Sequence, residues 1–267
     1  MAARTQIPSL QVLYHELVRA PWICLTAMRA ESPAPEPIVA TGGGEPVLVL
    51  GGLFSRPFYY APLGRIIRRR GYSVHFDDVF NARPFRPHLV DLRARVQEIA
   101  ADTGGPIRII GHSLGGLHAM ALLADLPDAI AQVIAVGSPI VGGTPWKPLQ
   151  RVAERVLQVH GRETLGLRER GAPYADRVTT ISSPGDMVAP PTSCVIDGAR
   201  NIILSDVPPR DALLASHGGM IFMQAAVRTV LASLAAVPPR DTGLRGRLDS
   251  LGAFRDNPRP SSLDEVQ

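Results

Sequence analysis

From residue 46 onward, short continuous apolar runs alternate with longer stretches in which apolar residues recur every three or four positions. The short runs are typical of strands buried on both faces of a parallel sheet, and the longer stretches are typical of amphipathic helices. The predicted strands cover residues 46–51, 72–77, 107–110, 130–136, 177–182 and 199–204. The predicted helices cover residues 58–70, 88–102, 114–124, 149–159 and 216–235. This alternation predicts an α/β fold, with a mostly parallel central sheet and helices on both faces.

Two stretches inside this region depart from the alternation. Residues 83–87 contain two prolines and are predicted to form a loop. Residues 141–173 follow the strand that ends near Val136 and combine a glycine-rich loop, the helix at 149–159 and a short turn at 165–170. Because this segment follows a strand at the carboxyl edge of the sheet, it is a candidate cap, lid or pocket wall. An ordinary crossover helix is the alternative.

The pattern divides the chain into one predicted domain at residues 46–235 and two terminal segments. Residues 1–45 are interpreted as a helical arm and a Pro-, Ala- and Gly-rich linker. The arm is expected either to pack on the core or to make a peripheral membrane contact, with Trp22 at the interface. Residues 236–267 are rich in Pro, Arg and Asp and lack periodicity, so a disordered tail is predicted.

Charge and cysteine content narrow the class of protein. The 28 basic and 24 acidic residues give a net charge of +4, and the arginines are scattered without interleaved aromatic residues, so no nucleic-acid partner is expected. Cys24 and Cys194 lack disulfide-framework and metal-ligand spacing, and we expect both to be reduced and buried. No signal peptide is evident, because the apolar stretch at 20–28 is short and contains Pro21. A cytoplasmic protein is expected, membrane-associated if the arm binds lipid, with no metal and no cofactor.

The residues Gly111-His112-Ser113-Leu114-Gly115 lie between a predicted strand and a predicted helix. A serine on such a sharp turn has its hydroxyl exposed at the edge of the sheet, and glycines flank it where side chains would collide with the neighbouring strand and helix. The helix that begins after the serine directs its free N–H groups and positive dipole end toward a developing oxyanion. Ser113 is therefore the candidate nucleophile.

A serine hydroxyl needs a base to accept its proton. Of the seven histidines, His217 is the best candidate, because it follows the last predicted strand and Gly-Gly follows it, which permits close approach. His112 is next to the serine, but the turn should direct it elsewhere. His118 lies further along the helix and is interpreted as structural.

The histidine in turn needs a carboxylate to hold its tautomer. Asp186 follows a predicted strand on a Ser-Pro-Gly turn and can reach across to His217. Asp197, Asp206 and Asp211 are the rivals, and Asp206 is the most serious because it also follows a strand.

Backbone donors for an oxyanion are expected at Leu114, which follows the serine, and at Leu53, which follows Gly51-Gly52. Apolar side chains near these positions would form an acyl pocket, with ordinary core packing as the alternative. The predicted substrate-binding residues are Phe54, Met187, Val188 and Met220.

These motifs resemble the α/β-hydrolase fold and, within it, bacterial lipases and esterases. The residues at 111–116 resemble the nucleophile elbow of that family, those at 181–188 its acid loop, and Ser216-His217-Gly218 its histidine loop. The resemblance covers about residues 46–231 and implies ester hydrolysis through an acyl-enzyme. Two departures from the family pattern stand out. Gly51-Gly52 replaces the usual His-Gly before the oxyanion residue. The members that the sequence most resembles are secreted, whereas no export signal is evident here.

Three functions are consistent with these residues. The first is a serine hydrolase acting on small-molecule or lipid carboxylic esters. The second is an acyltransferase that uses the same three side chains and passes the acyl group to an alcohol other than water. The third is a non-catalytic binding protein, which the presence of serine, aspartate and histidine disfavours.

Overall fold

The structure, a computed structural model, describes residues 41–77, 81–159, 161–205 and 216–236. The predicted N-terminal arm with Cys24 and the predicted C-terminal tail lie outside the described residues, apart from their innermost few positions. Asp206 and Asp211, two of the three rivals for the acid, also lie outside them.

The centre of the fold is a six-stranded parallel sheet with the strand order β2-β1-β3-β4-β5-β6. The strands are β1 (Pro46–Leu50), β2 (Ser73–Phe76), β3 (Ile107–His112), β4 (Ile130–Val136), β5 (Val178–Ser182) and β6 (Arg200–Ile203). Every residue of β1, β3, β4 and β5 is buried, in keeping with the mainly apolar sequences of β1, β3 and β4. Strand β5 also buries Thr179 and Thr180.

Helices cover both faces of the sheet. They are α1 (Pro57–Arg69), α2 (Phe85–Thr103), α3 (Leu114–Asp125), α4 (Lys147–Leu157), α5 (Gly161–Gly171), the short α6 (Pro191–Cys194) and α7 (Gln224–Ala236). Two 3₁₀ segments, Ala172–Arg177 and Met220–Phe222, precede β5 and α7. None of the helices within the described residues is long and apolar enough to cross a bilayer.

Residues of the central strands supply two separate cores, one on each face of the sheet. Leu48 and Ile109 pack with α2 and α3 on one face, whereas Val47 and Ile110 pack with α1 and α7 on the other. Each fully buried aliphatic side chain of this kind contributes about 1.5–3 kcal/mol of burial free energy. The predicted α/β class, with helices on both faces of a parallel sheet, is therefore confirmed.

Three local expectations were wrong. Helix α2 begins at Phe85, inside the predicted loop 83–87, because Pro87 lies in the first turn, where a missing N–H leaves no helical hydrogen bond unmade. The turn expected at 165–170 is part of the full helix α5. The helix expected from 216 starts only at Gln224, since Gly218-Gly219 favour turns over helix.

A buried arginine joins α7 to the sheet. Arg108 of β3 is 3% exposed, donates a hydrogen bond to the Leu234 carbonyl near the C-terminus of α7, and lies over the ring of Tyr72. A cation at this end complements the helix dipole. The contact fixes the helix that follows the His217 loop.

Candidate active site

Ser113 lies on the sharp turn between β3 and α3. Its backbone has φ 54° and ψ −118°, a region that costs a non-glycine residue free energy and recurs at functional sites. A Cβ on Gly111 would lie 2.5 Å from the Gly115 backbone, and a Cβ on Gly115 would lie 2.2 Å from the Leu50 carbonyl oxygen. The two glycines therefore let strand and helix approach each other closely around the serine, as the sequence predicts.

The three side chains expected to act together lie within hydrogen-bonding distance. His217 Nδ1 is 2.8 Å from Asp186 Oδ2, and His217 Nε2 is 2.8 Å from Ser113 Oγ. Because a carboxylate can only accept, Nδ1 carries the proton in this arrangement, and Nε2 of the neutral ring accepts the serine hydroxyl. The geometry can pass the serine proton to the imidazole.

Asp186 is fully buried and satisfied at both carboxylate oxygens. Its Oδ1 accepts hydrogen bonds from the N–H groups of Val188 and Ala189, at 2.9 and 2.8 Å, while Oδ2 contacts His217. Such charge-assisted bonds stabilise a carboxylate and fix its orientation. The rival Asp197 lies at the surface instead, 86% exposed and paired with Arg168.

The two predicted oxyanion donors both line the space in front of the serine. Leu114 is the first residue of α3, and Leu53 lies in the turn after β1. Among the described residues, neither backbone N–H donates a hydrogen bond in a turn, loop or cap. Whether they act as an oxyanion hole stays a prediction.

Side chains that sequence reasoning missed hold the loop before Leu53. Asn81 Nδ2 donates to the Gly51 carbonyl at 2.6 Å, Ser55 Oγ donates to the Gly52 carbonyl at 2.6 Å, and the Gly52 N–H donates to the Tyr60 hydroxyl at 2.8 Å. Gly51-Gly52 replaces the His-Gly pair usual in the family, and these three contacts provide the hydrogen bonds of the loop here. Tyr60 follows Gly52 by eight residues, and nothing in the sequence pattern marks it.

His112, which the sequence predicts to be directed away from the serine, lines the same cavity as Ser113 and contacts other parts of the site. Its Nδ1 lies 3.0 Å from the Tyr60 hydroxyl oxygen, and its Nε2 lies 3.0 Å from the carbonyl oxygen of His217. Burial, and after it repulsion from His217 when that ring is protonated, lowers the pKa of His112 to about 3. The ring is therefore neutral near pH 7.

A cavity of about 640 Å³ opens beside Ser113 and His217, and its lining is mainly apolar. Of the predicted substrate-binding residues, Phe54 and Val188 line it, together with both Leu53 and Leu114. Met187 and Met220 do not. Met220 is fully buried in the core on the α1–α7 face of the sheet, so its position next to the histidine loop in sequence was misleading.

The segment 141–173 forms one wall of this cavity. Trp146, Leu149, Ala153 and Leu157 of this segment line it, most of them along one face of α4. The interpretation as a pocket wall therefore agrees with the structure, whereas movement as a lid stays a prediction.

The other candidate reactive groups are placed elsewhere. His118 stacks on Phe85 with ring centroids 4.3 Å apart, and burial lowers its pKa to about 3, in keeping with a structural role. Cys194 is buried, and burial raises the pKa of its thiol to about 12, so it is an inert thiol at neutral pH. No group of three or more potential ligands within the described residues could hold a metal ion.

Solved structures of known proteins share this architecture. The chain superimposes on the mature lipase BlEst2 of Bacillus licheniformis with a TM-score of 0.56 and 15% identity over 77% of this chain and 94% of that one. For lipase B of Aspergillus fumigatus the values are 0.55, 17%, 79% and 57%. For a carboxylesterase of the thaumarchaeon Nitrososphaera gargenis they are 0.54, 13%, 72% and 90%. No protein-family model matches the sequence.

At these identities the similarity establishes the fold. The chain has the α/β-hydrolase fold, as its resemblance to that family implied. At the carboxyl edge of its sheet, Ser113, His217 and Asp186 are joined by hydrogen bonds beside an apolar cavity.

Proposed function

We propose that this protein is a serine hydrolase that cleaves carboxylic esters through an acyl-enzyme. The observation that carries the proposal is the continuous hydrogen-bonded series Ser113–His217–Asp186 at the opening of the apolar cavity. The lipases and carboxylesterase with the same fold lend support at the level of hydrolase chemistry.

In the first half-reaction, Ser113 Oγ attacks the ester carbonyl carbon while His217 Nε2 takes the hydroxyl proton. The N–H groups of Leu53 and Leu114 donate to the carbonyl oxygen as it becomes negative. The bond to the alcohol oxygen then breaks, and His217 returns its proton to that oxygen. Asp186 stabilises the imidazolium between these two transfers.

In the second half-reaction, a water molecule gives a proton to His217 and attacks the acyl-serine ester. The tetrahedral intermediate collapses, its bond to Ser113 Oγ breaks, and that oxygen recovers the proton from His217. The products are the free carboxylic acid and the regenerated serine. No metal or other cofactor takes part in this scheme.

The shape and lining of the cavity support an apolar acyl group as the part of the substrate that binds there. Leu149, Ala153 and Leu157 of α4 provide an apolar wall, and Phe54 and Phe58 are exposed at the cavity by 51% and 59%. Apolar surface of this kind gains free energy when an alkyl chain covers it, at roughly 25 cal/mol per Å². A lipid or a small apolar ester is therefore the proposed substrate class.

The experiment measures hydrolysis of p-nitrophenyl esters from acetate to palmitate by the full chain. We expect turnover that Ser113→Ala abolishes, with a preference for acyl chains longer than acetate. Ser205→Ala, a substitution after β6, serves as the matched control and should retain activity. Absence of turnover with every ester, or turnover that survives Ser113→Ala, would overturn the proposal.

A second arm separates hydrolysis from acyl transfer. With an added alcohol such as butanol, the acyl-enzyme partitions between free acid and a new ester. We expect free acid as the main product at low alcohol concentration. A new ester formed in preference to acid under those conditions would replace hydrolysis by acyl transfer.

A further inference from the structure

A series of hydrogen bonds connects the loop after β1 with the loop that carries His217. The Gly52 N–H donates to the Tyr60 hydroxyl oxygen at 2.8 Å, this oxygen lies 3.0 Å from His112 Nδ1, and His112 Nε2 lies 3.0 Å from the His217 carbonyl oxygen. The series joins the loop after β1 to the loop that carries the proposed general base. Tyr60 and His112 are 52 residues apart along the chain, and His112 and His217 are 105 residues apart.

Elementary hydrogen-bond chemistry fixes the direction of each bond. A carbonyl oxygen can only accept, so His112 Nε2 carries the proton that faces His217. The neutral ring then has an unprotonated Nδ1, which accepts the Tyr60 hydroxyl proton. The Tyr60 oxygen, having donated its proton, accepts from the Gly52 N–H. All three contacts are satisfied in this single arrangement.

The side chains in this series are buried and closely packed, so they have little room to adopt other conformations. Tyr60 and His112 are 2% and 5% exposed, and the ring centroids of His112 and His217 are 5.0 Å apart. A Cβ added to Gly52 would lie 3.2 Å from Ser113 Cβ and 3.3 Å from His112 Nδ1. The glycine backbone, the nucleophile and the buried histidine are thus in close contact with one another.

Helix α1 makes a parallel contact with the same histidine loop. The hydroxyl of Tyr59 donates to the Gly218 carbonyl at 3.1 Å. The adjacent residues Tyr59 and Tyr60 therefore connect one helix to both sides of the site. A displacement of α1 would be transmitted to the loop before Leu53 and to the loop of His217 together.

We propose that Tyr60 and His112 are positioning residues that set the spacing between Leu53, the proposed oxyanion donor, and His217, the proposed base. Gly52 directly precedes Leu53, so an acceptor for the Gly52 N–H fixes the peptide next to the donor. The donor from His112 fixes the backbone of His217 in the same way. The inference rests on the proposed function, since it assigns these residues to the same reaction.

The first test compares Tyr60→Phe with Tyr72→Phe. Both remove one hydroxyl from a buried tyrosine, but Tyr72 packs against Arg108 at the opposite end of the sheet. We expect Tyr60→Phe to lower kcat by about ten- to hundredfold with KM changed less than about threefold, because small misplacements of reacting groups cost rate. Tyr72→Phe should retain wild-type kcat.

The second test asks whether Tyr60 and His112 act as a unit. His112→Leu removes both ring nitrogens, and the double variant with Tyr60→Phe completes a cycle. If the series acts as one device, kcat of the double variant should lie within about threefold of the slower single variant. If the fold-losses in kcat of the two single variants multiply in the double variant, Tyr60 and His112 act independently and the proposal is overturned.

The third test does not depend on turnover and remains informative if His112→Leu fails to fold. The ¹⁵N chemical shifts of the imidazole in wild-type protein distinguish the two neutral tautomers. We expect a protonated Nε2 and an unprotonated Nδ1 at His112, with the Nδ1 signal shifted in Tyr60→Phe and unchanged in Tyr72→Phe. A protonated Nδ1, or no difference between the two variants, would overturn the proposal.

The outcomes separate this proposal from the proposed function. If wild-type protein hydrolyses esters and Tyr60→Phe behaves like Tyr72→Phe in kcat, only the positioning role fails. If wild-type protein hydrolyses no ester, the proposed function fails and the positioning role fails with it.

Discussion

The Nε2 atom of His217 lies 2.8 Å from the Oγ atom of Ser113, although the two residues are 104 positions apart. They meet because parallel strands place the loops after their carboxyl ends at one edge of the sheet. The same edge brings in Asp186 from the loop after β5.

The role of the carboxylate is tested by Asp186→Asn. In asparagine the single side-chain oxygen is expected to accept the N–H groups of Val188 and Ala189, so the amide NH2 faces His217 Nδ1 and donates to it. The wrong histidine tautomer is then favoured. We expect kcat for ester hydrolysis to fall by about 10⁴-fold, as in other Ser-His-Asp sites. The measurement is steady-state kinetics with a p-nitrophenyl ester.

Two aspartates serve as controls for that substitution. Asp197→Asn removes only a surface ion pair with Arg168 and should leave kcat within about twofold, since exposed pairs are weak. Asp206→Asn should also cost little. A large loss in Asp206→Asn with little loss in Asp186→Asn would move the acid to Asp206.

The close approach of α3 to β1 is tested by Gly115→Ala. The added Cβ would lie 2.2 Å from the Leu50 carbonyl oxygen, which is rigid backbone, so strand and helix must separate. We expect the free energy of unfolding to fall by at least about 3 kcal/mol, the upper range of overpacking costs. Chemical denaturation measures this change.

Gly166→Ala is the matched control for overpacking. A Cβ on Gly166 meets no atom within 4 Å, and the residue lies within helix α5. Alanine should therefore raise the free energy of unfolding by about 0.5–1 kcal/mol through helix propensity. Equal destabilisation by both substitutions would contradict the packing argument.

The depth of the acyl pocket is tested on α4. Ala153 lines the cavity, whereas its neighbour Val152 is exposed, so phenylalanine at the two positions places the same ring inside and outside. Ala153→Phe should lower kcat/KM for long-chain esters by about tenfold or more relative to acetate esters, because each methylene excluded from the pocket forfeits burial free energy. Val152→Phe should leave the chain-length profile unchanged.

The buried histidine His118 makes stability depend on pH. Burial lowers its pKa from 6.5 to about 3 in the folded protein, so below pH 6.5 the unfolded chain binds a proton that the folded protein does not. Its effect is absent above pH 6.5 and grows as the pH falls toward about 3. Within that window the free energy of unfolding should fall by about 1.4 kcal/mol per pH unit for this group.

His118→Phe keeps a ring against Phe85 and removes the titrating group. We expect the decline in the free energy of unfolding between about pH 6 and pH 4 to become shallower by that amount. His75→Gln, at a partly exposed position, should change the decline far less. An unaltered decline in His118→Phe would show that burial of this imidazole does not set the pH response.

Local sequence patterns predict much of this fold and part of its candidate active site. Apolar runs in the sequence predict the buried strands. Ser113 can be predicted because the glycines on either side of it are required by the close contact around the turn between β3 and α3. The start of α2 at Phe85 was missed because proline suggests a break, although it is tolerated in a first helical turn.

The remaining parts of the site depend on which face a residue occupies after folding. Met220 is three residues from His217, yet it packs into the core rather than the cavity. Tyr60 and His112 meet across 52 residues through contacts that no periodicity encodes. Distances of this kind follow from the packing of α1 against the sheet edge, which sequence spacing does not determine.

The most direct test of the central claim is covalent labelling by a fluorophosphonate probe, located by peptide mass spectrometry. If Ser113 is the nucleophile and His217 its base, folded wild-type protein should be labelled once, at Ser113. His217→Ala should slow labelling by about 10³-fold or more, whereas His75→Ala should label at the wild-type rate. Label at another serine, or equally fast labelling of Ser113 in His217→Ala, would contradict the account.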